Sequence, residues 1–330
     1  MQIQTLAGTT APKVGLGCMG MSDFYGHASE DECLRALHLA FELGYRHLDT
    51  ADFYGDGHNE RLIGRFVREL GSRRRELLIA TKCGLRRKAG PTPGVDIDSS
   101  PAYVKLACEA SLARLGIEAI DLFYLHRRSP SVPIEDTVGA MAELVKLGKI
   151  RAIGLSEVSA QTLRAASKTT RITAVQSELS LWTRDAEAHV LPACAELGVD
   201  FVAYSPLGRG FLTGELNPAT FVAANDLRQH LPRFAPGNYE SNLALLAAID
   251  QVSAEVAGTR ATVALAWVLA QAPNVSVIPG ARKPAHVRSN FESLSVSLNT
   301  AQLARLSEAF SPAKIAGERY PQALLSTVNV

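Results

Sequence analysis

The chain has 330 residues, 47% of them hydrophobic, and its 34 basic residues nearly cancel its 33 acidic ones. That balance leaves no global field to gather nucleic acid or an anionic membrane surface, so the expected partner is a small molecule. The five cysteines, Cys18, Cys33, Cys83, Cys108 and Cys194, are odd in number, widely spaced and without a C-x-x-C pair, which argues against a disulfide framework or a zinc site and fits a reducing cytoplasm. MQIQTLAGTT lacks the basic start and apolar stretch of a signal peptide. No 18-residue apolar run offers a bilayer span; residues 255–275 come nearest, interrupted by Glu255, Arg260 and Gln271.

Along the chain, short apolar runs alternate with amphipathic helical stretches. KVGLG (13–17) leads to EDECLRALHLAFELG, where Leu34, Leu37 and Phe41 recur at helical spacing. The unit then repeats. YRHLDTA (45–51) precedes a helix over 59–70, LLIATKCG (77–84) a helix over 101–116, and IDLFYLH (120–126) a helix over 134–149. IRAIGLS (150–156), ITAVQSEL (172–179) and VDFVAYSPLG (199–208) follow, the first two leading into helices at 160–167 and 186–198. An insertion and a long helical region (240–272) separate them from the last strand, VSVIPG (275–280). Eight mostly apolar strands alternating with helices predict a (β/α)8 TIM barrel in one domain over residues 1–330, with an open doubly wound sheet as the alternative. MQIQTLAGTTAP would form a short hairpin closing the barrel bottom.

GLGCMG (15–20) matches the G-x-G-x-x-G pattern of dinucleotide-binding loops. The match lacks its context: no helix opens on it, and the position about 20 residues on is Ala40, with no carboxylate for a ribose. It reads instead as the first barrel strand and its loop.

In a barrel, chemistry gathers where strands end. The strand ends carry Asp49, Lys82, His126, Ser156, Gln176 and the pair Tyr204-Ser205. One buried polar residue is usually structural, but so many at one mouth would be costly to bury without a ligand. Tyr54 follows Asp49 closely. A phenol, with an unperturbed pKa of about 10, releases its proton more readily beside a cation. Lys82 would be that cation, Asp49 would keep it charged, and His126 would orient a carbonyl oxygen. Together they form a proton donor aimed at a carbonyl, with neither nucleophile nor metal.

With these residues in view, the chain resembles the aldo-keto reductases over nearly its whole length. GYRHLDTADFYG, TKCG, YLHR, GLSE, AVQSE, YSPLGRGFLTG and IPGARKPAHVRSN carry the likeness in the family's order. DTADFYGDGHNERLIG and GRGFLTGELNP resemble the largely microbial and plant branch related to pyridoxal reductase and perakine reductase. The chain is also similar to the potassium-channel β-subunits. The resemblance implies NADPH-dependent reduction of aldehydes or ketones, with Tyr54 as proton donor and Asp49, Lys82 and His126 beside it. It implies a cofactor site in which Gly17, Met19 and Asp49 lie near the nicotinamide. Ser156 and Gln176 would hold its carboxamide, and Tyr204 would stack on its ring. Ser205, Pro206, Leu207, Gly208, Arg209 and Gly210 would wrap the pyrophosphate. Gly280, Arg282, Lys283, His286 and Asn290 would take the adenosine end, with Arg282 and Lys283 on a 2′-phosphate, favouring NADP(H).

The chain departs from the family at Glu157, where Asn is frequent, at Ser289, where Glu is frequent, and at Leu179, which replaces an aromatic of the pocket rim. Trp182 and Arg184, or Phe24 and Tyr25, could line the substrate pocket, with a core role for Trp182 equally open. Residues 209–240 are too long and Pro/Gly-rich for an ordinary connection and are expected to form a lid or cofactor belt. Two other functions fit less well: a cofactor-binding redox-sensing subunit with slow turnover, and a Schiff-base aldolase built on Lys82. Neither the particular substrate nor the oligomeric state is readable.

Overall fold

The structure, a computed structural model, describes residues 2–88, 94–217, 221, 226–325 and 327–328. It begins with an antiparallel hairpin, β1 (Ile3–Leu6) and β2 (Thr9–Pro12). Ala7 and Gly8 turn it with φ of 49° and 80°, the left-handed pair that a two-residue hairpin loop demands. Leu6 is fully buried and shares an apolar cluster with Leu78, Leu122, Ala152, Ala174 and Val202. The hairpin therefore plugs the bottom of the barrel, as its sequence leads one to expect.

The repeating unit then runs β3 (Leu16–Gly17), α1 (Glu30–Leu43), β4 (His47–Asp49), α2 (His58–Leu70) and β5 (Leu78–Cys83). A small hairpin, β6 (Leu85–Arg87) and β7 (Val95–Ile97), interrupts it before α3 (Pro101–Leu115). Next come β8 (Leu122–Leu125), α4 (Ile134–Lys146), β9 (Ile153–Ser156), α5 (Ala160–Thr169), β10 (Ala174–Glu178), α6 (Ala186–Leu197) and β11 (Asp200–Tyr204). The helical stretch expected over 240–272 is three helices, α7 (Asn238–Leu243), α8 (Leu246–Val256) and α9 (Arg260–Leu269). Ala257, at φ 51°, stops α8, and Thr259 caps α9 by accepting from the Thr262 amide. The chain ends with β12 (Val275–Ile278), α10 (Pro284–Glu292), α11 (Thr300–Ala309) and α12 (Gln322–Leu325).

The main sheet has eight parallel strands in the order β3-β4-β5-β8-β9-β10-β11-β12, and bridges from Val14 to Val277 and from Gly17 to Gly280 close it into a barrel. Gly17 is needed at that seam because a Cβ there would lie 2.7 Å from the Ile278 carbonyl oxygen. Alternation along each strand sorts the side chains. Ile79, Phe123, Leu125, Ile153, Val175, Phe201 and Val277 join the large outer cluster under the helices. Leu78, Ala80, Leu122, Tyr124, Ala152, Ala174 and Val202 fill the interior. Continuing each interior series toward the C-terminal mouth brings up Lys82, His126, Ser156, Gln176 and Tyr204. The fold thus delivers the polar residues inward by register alone.

All five cysteines are free and buried. Among the described residues, no single helix is long and apolar enough to cross a membrane.

Candidate active site

Lys82 is fully buried, and its Nζ donates to Asp49 Oδ1 (2.5 Å), the Thr50 carbonyl oxygen (2.9 Å) and Tyr54 Oη (3.1 Å). An ammonium has just these donors to give. Asp49, 2% exposed, accepts from Gln176 Nε2 (2.7 Å) at its other oxygen. The turn that carries Tyr54 back over Lys82 is held by Asn59, which accepts from Thr50 Oγ1 (2.6 Å) and donates to the Cys18 carbonyl oxygen (2.8 Å). Its side-chain amide also donates to Ser22 Oγ (2.7 Å). A Schiff-base role does not suit Lys82, because its nitrogen is enclosed and fully engaged.

Burial pushes the Lys82 pKa down, but the Asp49 carboxylate and Tyr54 outweigh it and leave it raised, so the ammonium persists. Burial pushes the Tyr54 phenol up, with Lys82 pulling against it, and the net position stays above the ordinary value. Burial, then the charges of Lys82 and Arg127, hold His126 well below the ordinary imidazole range. His126 is therefore neutral at physiological pH. Its ring meets that of Tyr54 edge-on at 5.8 Å, and its buried Nδ1 has no partner among the described residues.

Asp49, Tyr54 and His126 floor a cavity of about 960 Å³ at the barrel mouth. Gly17, Met19, Ser156, Gln176 and Tyr204 line it next to them, and Lys82 lies just behind. Ser205, Pro206, Leu207, Arg209 and Gly210 carry the wall along one side, and Gly280, Arg282, Lys283, His286 and Asn290 along another. Gly208 is the exception. It is buried beneath Trp182, whose Nε1 would lie 2.5 Å from a Cβ added there.

The long arm of the cavity has the chemistry of an anion site. Among the described residues, Lys283, which heads α10, has no carboxylate partner, and Arg282 bonds only the carbonyl oxygens of Gly26 (3.1 Å) and His27 (3.2 Å). Asn290 Nδ2 is buried with no acceptor among the described residues. Unpaired cations and an orphan amide along a groove that leads to Tyr54 fit a phosphate-bearing, nucleotide-sized ligand.

The remaining sequence candidates divide. Phe24 and Tyr25 line the cavity. Trp182 is core, 2% exposed and stacked on Phe211 at 4.3 Å, and Leu179 is fully buried rather than on a rim. Arg184 is engaged with Glu187 and the Ser307 carbonyl oxygen. Glu157 Oε1 accepts from Arg319 Nη2 (2.6 Å) and from the Glu178 amide (2.9 Å), and its buried Oε2 has no partner among the described residues. Of the expected belt, residues 218–220 and 222–225 lie outside the described residues. Its described parts pack Phe211, Phe221, Phe234 and Tyr239 together, and the Leu227 amide reaches across to the Phe24 carbonyl oxygen (2.8 Å). Arg127 and Tyr320 also line the cavity and escaped sequence reasoning. Arg127 was adjacent to a flagged residue, whereas Tyr320 lies in an aperiodic tail that offered no signal.

A parallel barrel closed at one end, with a buried Lys–Asp pair clamping a tyrosine at the open end, defines a proton-donating site beside an anion groove. The pattern that defines the Aldo/keto reductase family matches residues 13–310, and the chain belongs to that family. It is 41% identical to a probable aldo-keto reductase of Glycine max over 95% of this chain and 89% of that protein. It is 39% identical to an aldo-keto reductase of Schizosaccharomyces pombe whose name specifies NADP(+), over 94% of this chain and 92% of that protein. Among solved structures, the glycerol dehydrogenase of Gluconobacter oxydans superposes with a TM-score of 0.85 at 29% identity, covering 94% of this chain and 96% of that one. An aldo/keto reductase of Klebsiella pneumoniae in complex with NADP and acetate gives a TM-score of 0.71 at 25% identity, covering 97% and 98%.

Proposed function

We propose that this chain is an NADPH-dependent reductase of small aldehydes or ketones. The observation that carries the reading is the buried Lys82 ammonium shared between the Asp49 carboxylate and the Tyr54 hydroxyl at the floor of a cavity lined with cations. The relatives named for, or complexed with, NADP support the choice of cofactor. That cofactor, when bound, supplies hydride to the carbonyl carbon.

The chain's own residues do the rest. Neutral His126 orients the carbonyl oxygen at the cavity floor, and Tyr54 Oη gives its proton to the oxygen as negative charge develops there. Lys82 stabilises the phenolate left behind, and Asp49 keeps Lys82 charged in a buried setting. Ser156 and Gln176 face the carboxamide end; with Gln176 Nε2 committed to Asp49, its carbonyl oxygen is the atom that would accept from an amide. Tyr204 offers a ring face, Gly17 and Met19 border the same end, and Ser205, Pro206, Leu207, Arg209 and Gly210 follow the pyrophosphate. Gly280, His286 and Asn290 border the adenosine, while Arg282 and Lys283 take the 2′-phosphate. The segment 209–240 acts as a belt over the bound cofactor. Tyr54→Phe is expected to lower turnover by about 10²-fold or more while leaving NADPH affinity within about twofold, the span of a lost general acid. Wild-type turnover in that variant would refute the assignment.

A further inference from the structure

We propose that Arg319, carried by the C-terminal tail, is a positioning residue that sets the nicotinamide end of the cofactor site, with Tyr320 sharing the task. This rests on the reductase reading above. Residues 319 and 320 lie beyond the 13–310 stretch that matches the family, and the tail around them forms no barrel element. The structure nevertheless brings them into the mouth, with Arg319 5% exposed and Tyr320 8%.

Arg319 binds three successive strand ends at once. Its Nε donates to Glu178 Oε2 (2.9 Å) at the end of β10, and its Nη2 to Glu157 Oε1 (2.6 Å) just past β9. The same Nη2 donates to Tyr204 Oη (2.8 Å) at the end of β11. Glu157 directly follows Ser156, and Glu178 lies two residues beyond Gln176 on the same inward face. Ser156, Gln176 and Tyr204, the residues expected on the carboxamide and the ring, are thus tied, directly or within two positions, to one guanidinium. Glu157 holds φ at 53°, an unfavourable region for a side-chain-bearing residue, and the Arg319 bond joins the Gln176 carbonyl oxygen (3.0 Å from the Glu157 amide) and the Glu178 amide (2.9 Å from Glu157 Oε1) in holding it there.

Tyr320 completes the clamp. Its hydroxyl accepts from Arg209 Nη2 (2.7 Å) and lies 3.1 Å from Tyr204 Oη. A phenol ring that serves as a stacking platform can be locked through its hydroxyl without blocking its face, and Tyr204 has that hydroxyl held from two sides by the tail. Arg209, on the pyrophosphate wall, also pairs with Glu178 (3.1 Å). Buried ion networks seldom add net stability over apolar packing, so simple anchoring of the tail is a poor account of this one.

The test compares two ligands by calorimetric titration: NADPH, and adenosine 2′,5′-bisphosphate, which carries the adenosine end without the nicotinamide. Wild type is expected to bind both. Arg319→Met should weaken NADPH about tenfold and leave the bisphosphate within about twofold, since misplacing the nicotinamide contacts by one or two hydrogen bonds is worth about that factor. Arg319→Lys keeps the charge without the fork and should recover part of the loss; Tyr320→Phe should weaken NADPH about threefold. If Arg319→Met fails to fold, the Lys and Phe variants carry the same comparison. Equal losses for both ligands, or no loss in any variant, overturn the positioning role. Wild type that binds neither ligand overturns the reductase reading itself.

Discussion

Removing Lys82 separates what the buried pair does for the fold from what it does for the chemistry. In Lys82→Met the Asp49 carboxylate, 2% exposed, loses a 2.5 Å ion pair and keeps only the Gln176 amide at 2.7 Å. Stranding one partner of a buried pair costs about 3–5 kcal/mol, and the surviving hydrogen bond returns about 1, so the expected loss is about 3 kcal/mol. Asp49→Asn in the same background removes the stranded charge, and the double variant should then be more stable than Lys82→Met alone. The cycle should show a coupling energy of about 1–3 kcal/mol in urea unfolding monitored by fluorescence. Turnover tells a different story. Both variants should lose about 10²- to 10⁴-fold in cofactor oxidation with an aldehyde, because neither supplies the cation that makes Tyr54 an acid. Stability losses that add to within about 0.5 kcal/mol would mean the pair is not coupled in the fold and would refute the reasoning. Recovered turnover in the double variant would refute the chemical role of Lys82.

Asp52 provides a pH test. Burial first, and then the nearby Glu60, raise its pKa from 3.8 to about 7, and its Oδ1 has no partner. The folded carboxyl therefore keeps its proton where the unfolded chain has lost it, so its contribution to stability is full below about pH 4 and falls away as pH climbs toward 7. Asp52→Asn should gain about 1–3 kcal/mol above pH 7 and nothing at pH 4, and a variant with the wild-type pH slope in thermal unfolding would exclude this account. Arg282→Ala should weaken NADPH about tenfold or more and leave NADH almost unchanged, since only the former carries the 2′-phosphate; parallel losses would place Arg282 elsewhere on the cofactor. Saturating NADPH should slow proteolytic cleavage within 209–240, and equal rates with and without it would dispose of the belt.

Register explains why so much of the site was legible. Lys82, His126, Ser156, Gln176 and Tyr204 each extend the inward-facing alternation of an apolar strand, so finding the strands almost finds the site. The N-terminal hairpin was legible for a related reason: its turn needs left-handed residues, and Ala7-Gly8 interrupts an alternating run. What escaped notice depends on contacts distant in the chain. Arg319 meets Glu178 across 141 positions and Glu157 across 162, and no local period encodes such pairs. The hairpin of β6 and β7 was missed because each strand is only three residues long and Leu85–Arg87 carries a single apolar side chain, and the break within 240–272 because Thr259 as a cap outweighs a continuing apolar pattern. Trp182 showed the opposite ambiguity: an aromatic just past a strand end serves core or pocket equally well until its neighbour Phe211 is known.

The buried cysteines make the folded protein chemically quiet. Burial raises the thiols of Cys18, Cys33, Cys83, Cys108 and Cys194, those of Cys108 and Cys194 to about 12, so almost no thiolate exists at neutral pH. They are spread through the barrel, after β3, in α1, at the end of β5, in α3 and in α6. Alkylation of each one therefore records the opening of its own sector. An order of modification along the chain would trace how the barrel comes apart, read from the untouched wild-type protein with no reporter added.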